Sequence, residues 1–371
     1  MNFPVVAAVS DVAPQLTVVI PTFNEVDNID PLLARLRETL GALRWEAIFV
    51  DDNSPDGTAR ALRDRGRLDP RIRCIRRVGR RGLAGACIEG MLAAQGPIVA
   101  VMDADLQHDD SLLPRMYDAM TEGADVVVAT RYAEGGAAAS FTATRSMLSR
   151  TATVATQKLL GVTSSDPMSG FFMLRRELID DLSPRLSSQG FKILLDILAT
   201  APAGLKIVEI PYAFASRQNG ESKLDNRVLL DFLGLLVAKV TRDVVPIRFV
   251  SFAAVGTLGL ALHLAVLRTI LVNGAHFATA QSVATFAAMT SNFLINNVLT
   301  YRDRRLRGWR LLPGLAKFYA ICGLGAAANI GVGSWVFWET SRWWVAGIAG
   351  SLIGVVWNYA VSTALVWRDK P

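Results

Sequence analysis

Residues 98–107 read Ile98-Val99-Ala100-Val101-Met102-Asp103-Ala104-Asp105-Leu106-Gln107. A short apolar run that ends in carboxylates is the pattern of a buried strand delivering acidic groups at its carboxyl end. The arrangement recurs twice upstream. Residues 16–20 run into Pro21-Thr22-Phe23-Asn24-Glu25, and residues 46–50 run into Asp51-Asp52-Asn53-Ser54-Pro55-Asp56-Gly57. A further strand is predicted at 71–75. Helical patterns fill the intervals at 28–40, with Asn28 as the expected N-cap, at 59–65 and at 82–94. This rhythm predicts a Rossmann-like α/β layer around a largely parallel sheet, where ligands gather beyond the carboxyl ends of the strands. An Asp-x-Asp there offers hard oxygen ligands for Mg2+ or Mn2+, which in turn hold a diphosphate. An acid after the second strand can accept hydrogen bonds from a ribose or base.

The remainder of the chain has a different character. Over 371 residues, 51% are hydrophobic and 19% charged. Residues 247–371 hold eleven Lys/Arg against three Asp/Glu, a net +8, which leaves −2 for residues 1–246. The basic excess lies in the apolar part, so a membrane surface is the expected partner and a nucleic-acid groove is not. Four uncharged stretches, 249–267, 278–300, 318–338 and 343–367, each meet the length of about 20 residues that a bilayer demands. Lys239, Arg242 and Arg248 precede the first; Arg302, Arg304, Arg305, Arg307, Arg310 and Lys317 separate the second from the third; Arg368 and Lys370 follow the fourth. The positive-inside rule then puts both termini in the cytoplasm, at the inner cell membrane. No basic n-region with an apolar run opens the chain, so the first half is expected to stay cytoplasmic.

The apolar part repeats itself. Arg248-Phe249 corresponds to Lys317-Phe318, Thr300-Tyr301-Arg302-Asp303 to Val366-Trp367-Arg368-Asp369, and Asn292 to Asn358. Two hairpins inserted the same way round are expected. Gly256, Gly259, Gly325, Gly331 and Gly333 are expected to allow close helix approach. Asn292, Asn296, Asn297, Asn329 and Asn358 are expected as interhelical hydrogen-bond partners. Residues 228–246, ahead of the first span, read as an interfacial amphipathic helix region. The expected domains are therefore 1–227, 228–246 and 247–371.

Several functions are excluded. Cys74, Cys87 and Cys322 show no paired spacing, so no disulfide framework is implied. Three scattered histidines do not make a His-based zinc site. Gly82-Leu83-Ala84-Gly85 follows the third strand and lacks the dinucleotide spacing, and no Walker A pattern or serine nucleophile elbow occurs.

Taken together, PTFNE, VDDNSPDGT, MDADLQH, ATRYAEGG, DPMSGFFMLRRE and RQNGESK, in this order over about residues 16–230, resemble the polyprenol/dolichol-phosphate mannose synthases. Those are inverting family 2 glycosyltransferases of GT-A fold. The segment N-F-L-x-N-x-x-x-T-Y-R from Asn292 resembles the GtrA-like four-helix membrane module. The resemblance implies mannose transfer from GDP-mannose to a polyprenyl or dolichyl phosphate, with a divalent cation. It implies that Pro21, Phe23, Glu25, Val50, Asp52 and Ala104 hold the nucleotide, Phe23 standing where the family usually has Tyr. Asp103, Asp105 and Gln107 would bind the cation and the sugar diphosphate, with Asp105 catalytic. Arg131 and Arg145, also catalytic, would form the acceptor-phosphate site with Ser149. Arg217 and Lys223 would close over the donor diphosphate.

The residue chemistry agrees. A planar guanidinium matches phosphate bidentately, although Arg131 also reads as a surface salt-bridge partner. His108 is expected in a solvent-facing loop. A lipid monophosphate, with a second pKa of roughly 6, is already a nucleophile at neutral pH, so no general base is required. Two other readings stay open: a UDP-glucose-dependent polyprenyl-phosphate glucosyltransferase, and a glycolipid translocation or assembly protein whose soluble part only binds nucleotide.

Overall fold

The computed structural model describes residues 13–79, 82–132, 154, 156–187, 190, 192–212, 226–241, 244–340 and 343–367. The chain divides into two compact units, Met1–Val240 and Thr241–Pro371.

The first unit is built on a seven-stranded sheet in the order β3-β2-β1-β4-β6-β5-β7. The strands are β1 (Leu16–Thr22), β2 (Trp45–Asp51), β3 (Ile72–Arg76), β4 (Ile98–Val101), β5 (Val126–Thr130), β6 (Phe172–Arg175) and β7 (Ile207–Pro211). All neighbours pair in parallel except β6, which runs antiparallel to both β4 and β5. The carboxyl ends of β1, β2, β4, β5 and β7 therefore share one edge with the amino end of β6. Side-chain alternation divides the core. Leu16, Val18 and Ile20 face α1 (Ile29–Thr39), α2 (Thr58–Leu68) and α4 (Leu113–Thr121). Val19, Ile48 and Val50 face α3 (Leu83–Leu92), α5 (Arg176–Leu182) and α6 (Ile193–Thr200). With both faces covered, strands of continuous apolar residues are what burial selects. Gly90 lets α3 seat on the sheet, because a Cβ there would collide with Val19 Cγ1.

Two expectations need correction in this unit. Asn28 stands at the N-cap of α1 as expected, but its side chain makes no capping bond; its Nδ2 donates to Glu25 Oε2 at 2.6 Å. Lys239, counted among the charges flanking the first span, is not a free surface cation. It ends α7 (Asn226–Val240) and is buried against Asp196 at 2.8 Å, with side-chain exposures of 4% and 3%. Asp196 also accepts from the Ser187 amide at 2.7 Å. A satisfied ion pair at that depth ties α7 to α6.

The second unit consists of α8 (Ile247–Val272), α9 (Phe277–Val298), α10 (Leu311–Thr340) and α11 (Trp343–Leu365). Helix α10 begins seven residues before the predicted span at 318. Among the described residues, α8 is long and apolar enough to cross a membrane, with a mean hydropathy of 2.0. The internal repeat is visible as packing. Asn292 lies against Gly259 where α9 meets α8, and Asn358 lies against Gly325 where α11 meets α10; a Cβ on either glycine would collide with the amide. Tyr301 and Trp367, equivalent in the two repeats, stack at 4.1 Å and 4°.

Here too the reading from sequence is corrected. Among the described residues nothing lies within 4 Å of a notional Cβ on Gly256 or Gly331, in contrast to Gly259 and Gly325. Among the described residues the Oδ1 atoms of Asn292 and Asn358 are buried without a hydrogen-bond partner, and each packs against the facing glycine. Asn296 bonds within its own segment, to Thr300 at 2.7 Å. Asn297 accepts from the Leu306 amide at 2.8 Å and from Trp367 Nε1 at 3.1 Å. It pins the turn after α9 to the end of α11.

Candidate active site

Three acidic loops hang from the shared edge of the sheet, after β1, β2 and β4. Each contains one non-glycine residue in the left-handed region: Asn24 at φ 60°, Asn53 at φ 58° and Leu106 at φ 61°. Asn tolerates this conformation; Leu does so at a cost of order 1–3 kcal/mol that the surroundings must offset. Left-handed backbone at three adjacent loops, strained at Leu106, marks the edge as the place where geometry outranks local preference.

The first two loops are knitted together. Asn24 N donates to Ser54 Oγ at 3.0 Å, Glu25 N to Thr58 Oγ1 at 3.1 Å and Val26 N to Asp56 Oδ2 at 3.2 Å. Glu25 and Phe23 remain partly exposed, and Pro21 lies within β1, paired in register with Val50. Two residues expected at the nucleotide have side chains engaged within the fold. Val50 is fully buried with its side chain beneath α3, so it is a core group. Asp52 points inward. Its Oδ1 lies 2.7 Å from Arg77 Nη1, and its Oδ2 accepts from the Gly82 amide at 2.7 Å. Burial pushes its carboxyl above the ordinary value, against the opposing pull of that amide and of Arg77. Asp52 thus holds the entry to α3.

After β4, Ala104 is buried while Asp103, Asp105 and Gln107 are partly exposed. Asp105 Oδ1 accepts from the Gln107 amide at 3.2 Å, an Asx turn that orients the loop. Asp103 Oδ2 lies 3.3 Å from His108 Nε2. A Cβ on Gly170, at the entry to β6, would stand 3.0 Å from that same oxygen, so glycine keeps the space open. His108 is not in a solvent-facing loop: it is 4% exposed, and its Nδ1 lies 3.0 Å from Tyr212 Oη.

The donor set fits a hard divalent cation. It offers carboxylate and amide oxygens without thiolate or imidazole competition, since the one nearby imidazole is engaged on both nitrogens. Among the described residues no group of three or more His, Cys, Asp or Glu side chains is placed to hold a metal ion by itself. An incomplete oxygen shell is what a Mg2+-type ion shared with phosphate oxygens and water uses.

Arg131, directly after β5, is a partner of Asp166. Its Nε lies 2.8 Å from Oδ2 and its Nη2 2.9 Å from Oδ1, with side-chain exposures of 14% and 1%. It is therefore a buried pair, and the surface salt-bridge reading is corrected. Burial works against the guanidinium charge, but the hydrogen bonds and charge of Asp166 outweigh it and raise the pKa. The Asp166–Gly170 segment is stapled to β5 by Ser169 Oγ, which donates to Ala129 O at 2.7 Å. Asp103 is joined to Tyr212 through His108, and the Tyr212 amide donates to Thr130 O beside Arg131 and its partner Asp166, so these groups share one edge of the sheet. Arg145, Ser149, Arg217 and Lys223 lie outside the described residues.

Asp166, Ser169, Gly170, His108 and Tyr212 were not singled out as site residues from sequence. The available signal was the polar Asp166-Pro167-Met168-Ser169-Gly170 run immediately before an apolar strand.

Residues 17–183 match the glycosyl transferase family 2 domain, and residues 251–367 match the GtrA/DPMS transmembrane domain. The chain is 31% identical over 351 residues to a dolichol-phosphate mannosyltransferase of Pyrococcus furiosus, covering 94% of this chain and 96% of that protein. An undecaprenyl-phosphate mannosyltransferase of Micrococcus luteus is 31% identical over 229 residues, covering 60% of this chain and 91% of the other. Among solved structures, glucosyl-3-phosphoglycerate synthase of Mycobacterium tuberculosis with Mn2+, UDP and glucosyl-3-phosphoglycerate overlaps with a TM-score of 0.46 at 19% identity, over 62% of this chain and 80% of that one. The chain belongs to the dolichol-phosphate mannosyltransferase family; it is a membrane-associated family 2 glycosyltransferase.

Proposed function

We propose, proceeding from membership of this family, that the protein transfers mannose from GDP-mannose to a polyprenyl (dolichyl-type) monophosphate, with inversion, at the cytoplasmic membrane face. The observation that carries this reading is the likeness over 94% of the chain to a dolichol-phosphate mannosyltransferase, catalytic and membrane parts together. A phosphate oxygen of the acceptor attacks C1 of the sugar. The bond from C1 to the diphosphate oxygen breaks, and GDP departs with the electron pair. The acceptor dianion supplies the nucleophile, so catalysis rests on in-line placement and on stabilising the leaving group.

Asp103, Asp105 and Gln107 are the residues that would hold a divalent cation. When bound, such an ion neutralises charge on a departing diphosphate. Phe23 and Glu25 line the nucleotide side, with Pro21 and Ala104 at the strand ends and Asp52 fixing the α3 entry. Arg131, oriented by Asp166, serves the acceptor phosphate together with Arg145 and Ser149. Arg217 and Lys223 close over the donor diphosphate.

Helices α8, α9, α10 and α11 form four spans with both termini cytoplasmic. Their lengths of 26, 22, 30 and 23 residues support this, as do the exposed Arg302, Arg305, Arg307 and Arg310 between α9 and α10. On this reading residues 1–227 are catalytic, 228–246 interfacial and 247–371 the membrane domain.

The test uses the full-length protein in detergent with polyprenyl phosphate and either GDP-mannose or UDP-glucose. Lipid-linked mannose that disappears in EDTA and returns with Mg2+ or Mn2+ is the expected product. Transfer from UDP-glucose alone, or nucleotide binding without transfer, overturns the proposal.

A further inference from the structure

His108 and Tyr212 form a buried chain that no part of the transfer step uses. Tyr212 Oη lies 3.0 Å from His108 Nδ1, and His108 Nε2 lies 3.3 Å from Asp103 Oδ2. The chemistry of the groups sets the direction. An ionised carboxylate only accepts, so Nε2 carries a proton; in the neutral ring Nδ1 then accepts, and the phenol donates. Burial raises the Tyr212 pKa, which keeps its hydroxyl a donor. Both ring nitrogens are thus engaged, so His108 is not a general base.

The surroundings hold this chain rigidly. The Phe171 ring stands 5.2 Å from His108 and 6.2 Å, edge-on, from Tyr212. Tyr212 is anchored by its own amide, which donates to Thr130 O at 3.0 Å. The left-handed Leu106, at φ 61°, lies between Asp105 and His108, in the turn that brings His108 back onto Asp103. A methyl group at Gly170 would lie 3.5 Å from Nε2 and 3.0 Å from Asp103 Oδ2, so the contact is formed where only glycine leaves room. Four strand ends converge here: Asp103 follows β4, Thr130 ends β5, Phe171 precedes β6 and Tyr212 follows β7.

We propose that His108 and Tyr212 are positioning residues that fix the Asp103 carboxylate for a divalent cation. A terminal carboxylate otherwise turns about its last torsion, and ordering it on binding opposes affinity. With Oδ2 held by His108, the other oxygen is presented to the cation, and Tyr212 sets the ring that does the holding. Outer partners of this kind affect metal affinity by about 10–100-fold. The inference rests on the cation reading of Asp103 and Asp105.

The experiment is Mn2+ titration, followed by electron paramagnetic resonance, of the full-length protein in detergent with GDP present. Wild type is compared with His108→Leu, His108→Gln and Tyr212→Phe. Leu should weaken Mn2+ binding about tenfold or more. Gln keeps an N–H for Asp103 and should recover most of that loss. Phe keeps the ring packing and should weaken binding several-fold, with GDP affinity in EDTA unchanged. Wild-type Mn2+ affinity in both His108→Leu and Tyr212→Phe overturns the inference while leaving the cation reading intact. If His108→Leu does not fold, Tyr212→Phe decides alone, and unchanged affinity there overturns it. Absence of Mn2+ binding by the wild type with GDP overturns the cation reading, and this inference with it.

Discussion

Arg131 is expected to serve both the fold and the acceptor, and the two roles can be separated. Asp166 is 1% exposed and takes two side-chain bonds from Arg131, at 2.8 and 2.9 Å, besides the Arg131 amide at 3.3 Å. Arg131→Ala strands that carboxylate without its cation. Removing one partner of a buried pair costs about 3–5 kcal/mol, whereas replacing both charges by neutral groups of similar size is close to neutral. At roughly 2–4 °C per kcal/mol for a unit of this size, Arg131→Ala should lower the melting temperature by about 10 °C. Arg131→Met combined with Asp166→Asn should recover most of it, because Asn still offers an oxygen to the Arg131 amide.

Catalysis should not recover with stability. Loss of one charge-assisted phosphate contact is worth about 1.5–3 kcal/mol, so the double variant should show acceptor KM raised roughly tenfold or more. Its Kd for GDP-mannose should match wild type. The assays are thermal melting in detergent, a polyprenyl phosphate titration of transfer, and a nucleotide binding titration. Wild-type acceptor KM in the stable double variant would refute the reasoning, leaving Arg131 a purely structural group. Arg131→Ala melting with wild type would refute the buried-pair energetics.

Gly170→Ala places a methyl group 3.0 Å from Asp103 Oδ2; turnover at limiting Mn2+ should fall about tenfold and partly recover at saturating Mn2+. Gly259→Ala should destabilise the second unit by about 1–3 kcal/mol through collision with Asn292, while Gly256→Ala on the same helix should stay within about 0.5 kcal/mol. Equal melting shifts for the two would contradict the packing argument. Asp69 is held at about 2, first by its hydrogen bond from Arg71 and further by Arg37, below its usual 3.8. A depressed carboxyl contributes stability that is present above pH 4 and lost as pH falls toward 2. Asp69→Asn should therefore cost about 1 kcal/mol at pH 7, after allowance for solvent screening, and progressively less at pH 3, followed by melting at both values. A cost that does not shrink on acidification would show that the charge is not the source.

Strands β1, β2 and β4 were legible because each is a short apolar run, and burial on both faces of a parallel sheet selects such runs; the edge strand β3, Ile72-Arg73-Cys74-Ile75-Arg76, is only partly buried and carries two arginines. Strand β6 was not: Phe172-Met173-Leu174-Arg175 has the same composition, but nothing local says that it inserts antiparallel between β4 and β5. The Asp103-Ala104-Asp105 motif was legible from its place after a strand. His108, six residues after the apolar run ends at Met102, looked like any loop residue, because its partner Tyr212 lies 104 residues away.

By itself the sequence determined the α/β and apolar divisions, the acidic loops, the two repeats and the family, since hydropathy period and motif order are written along one dimension. Only the tertiary structure decided which charges are spent inside the fold. Asp52 turned to Arg77 and Gly82, Arg131 to Asp166, and Lys239 to Asp196. The physical reason is that a charge's role depends on its distance to a partner and on the water excluded around it. Both are properties of strand order and helix docking, so residues 35 or 43 positions apart carry no local mark of the pairing that buries them.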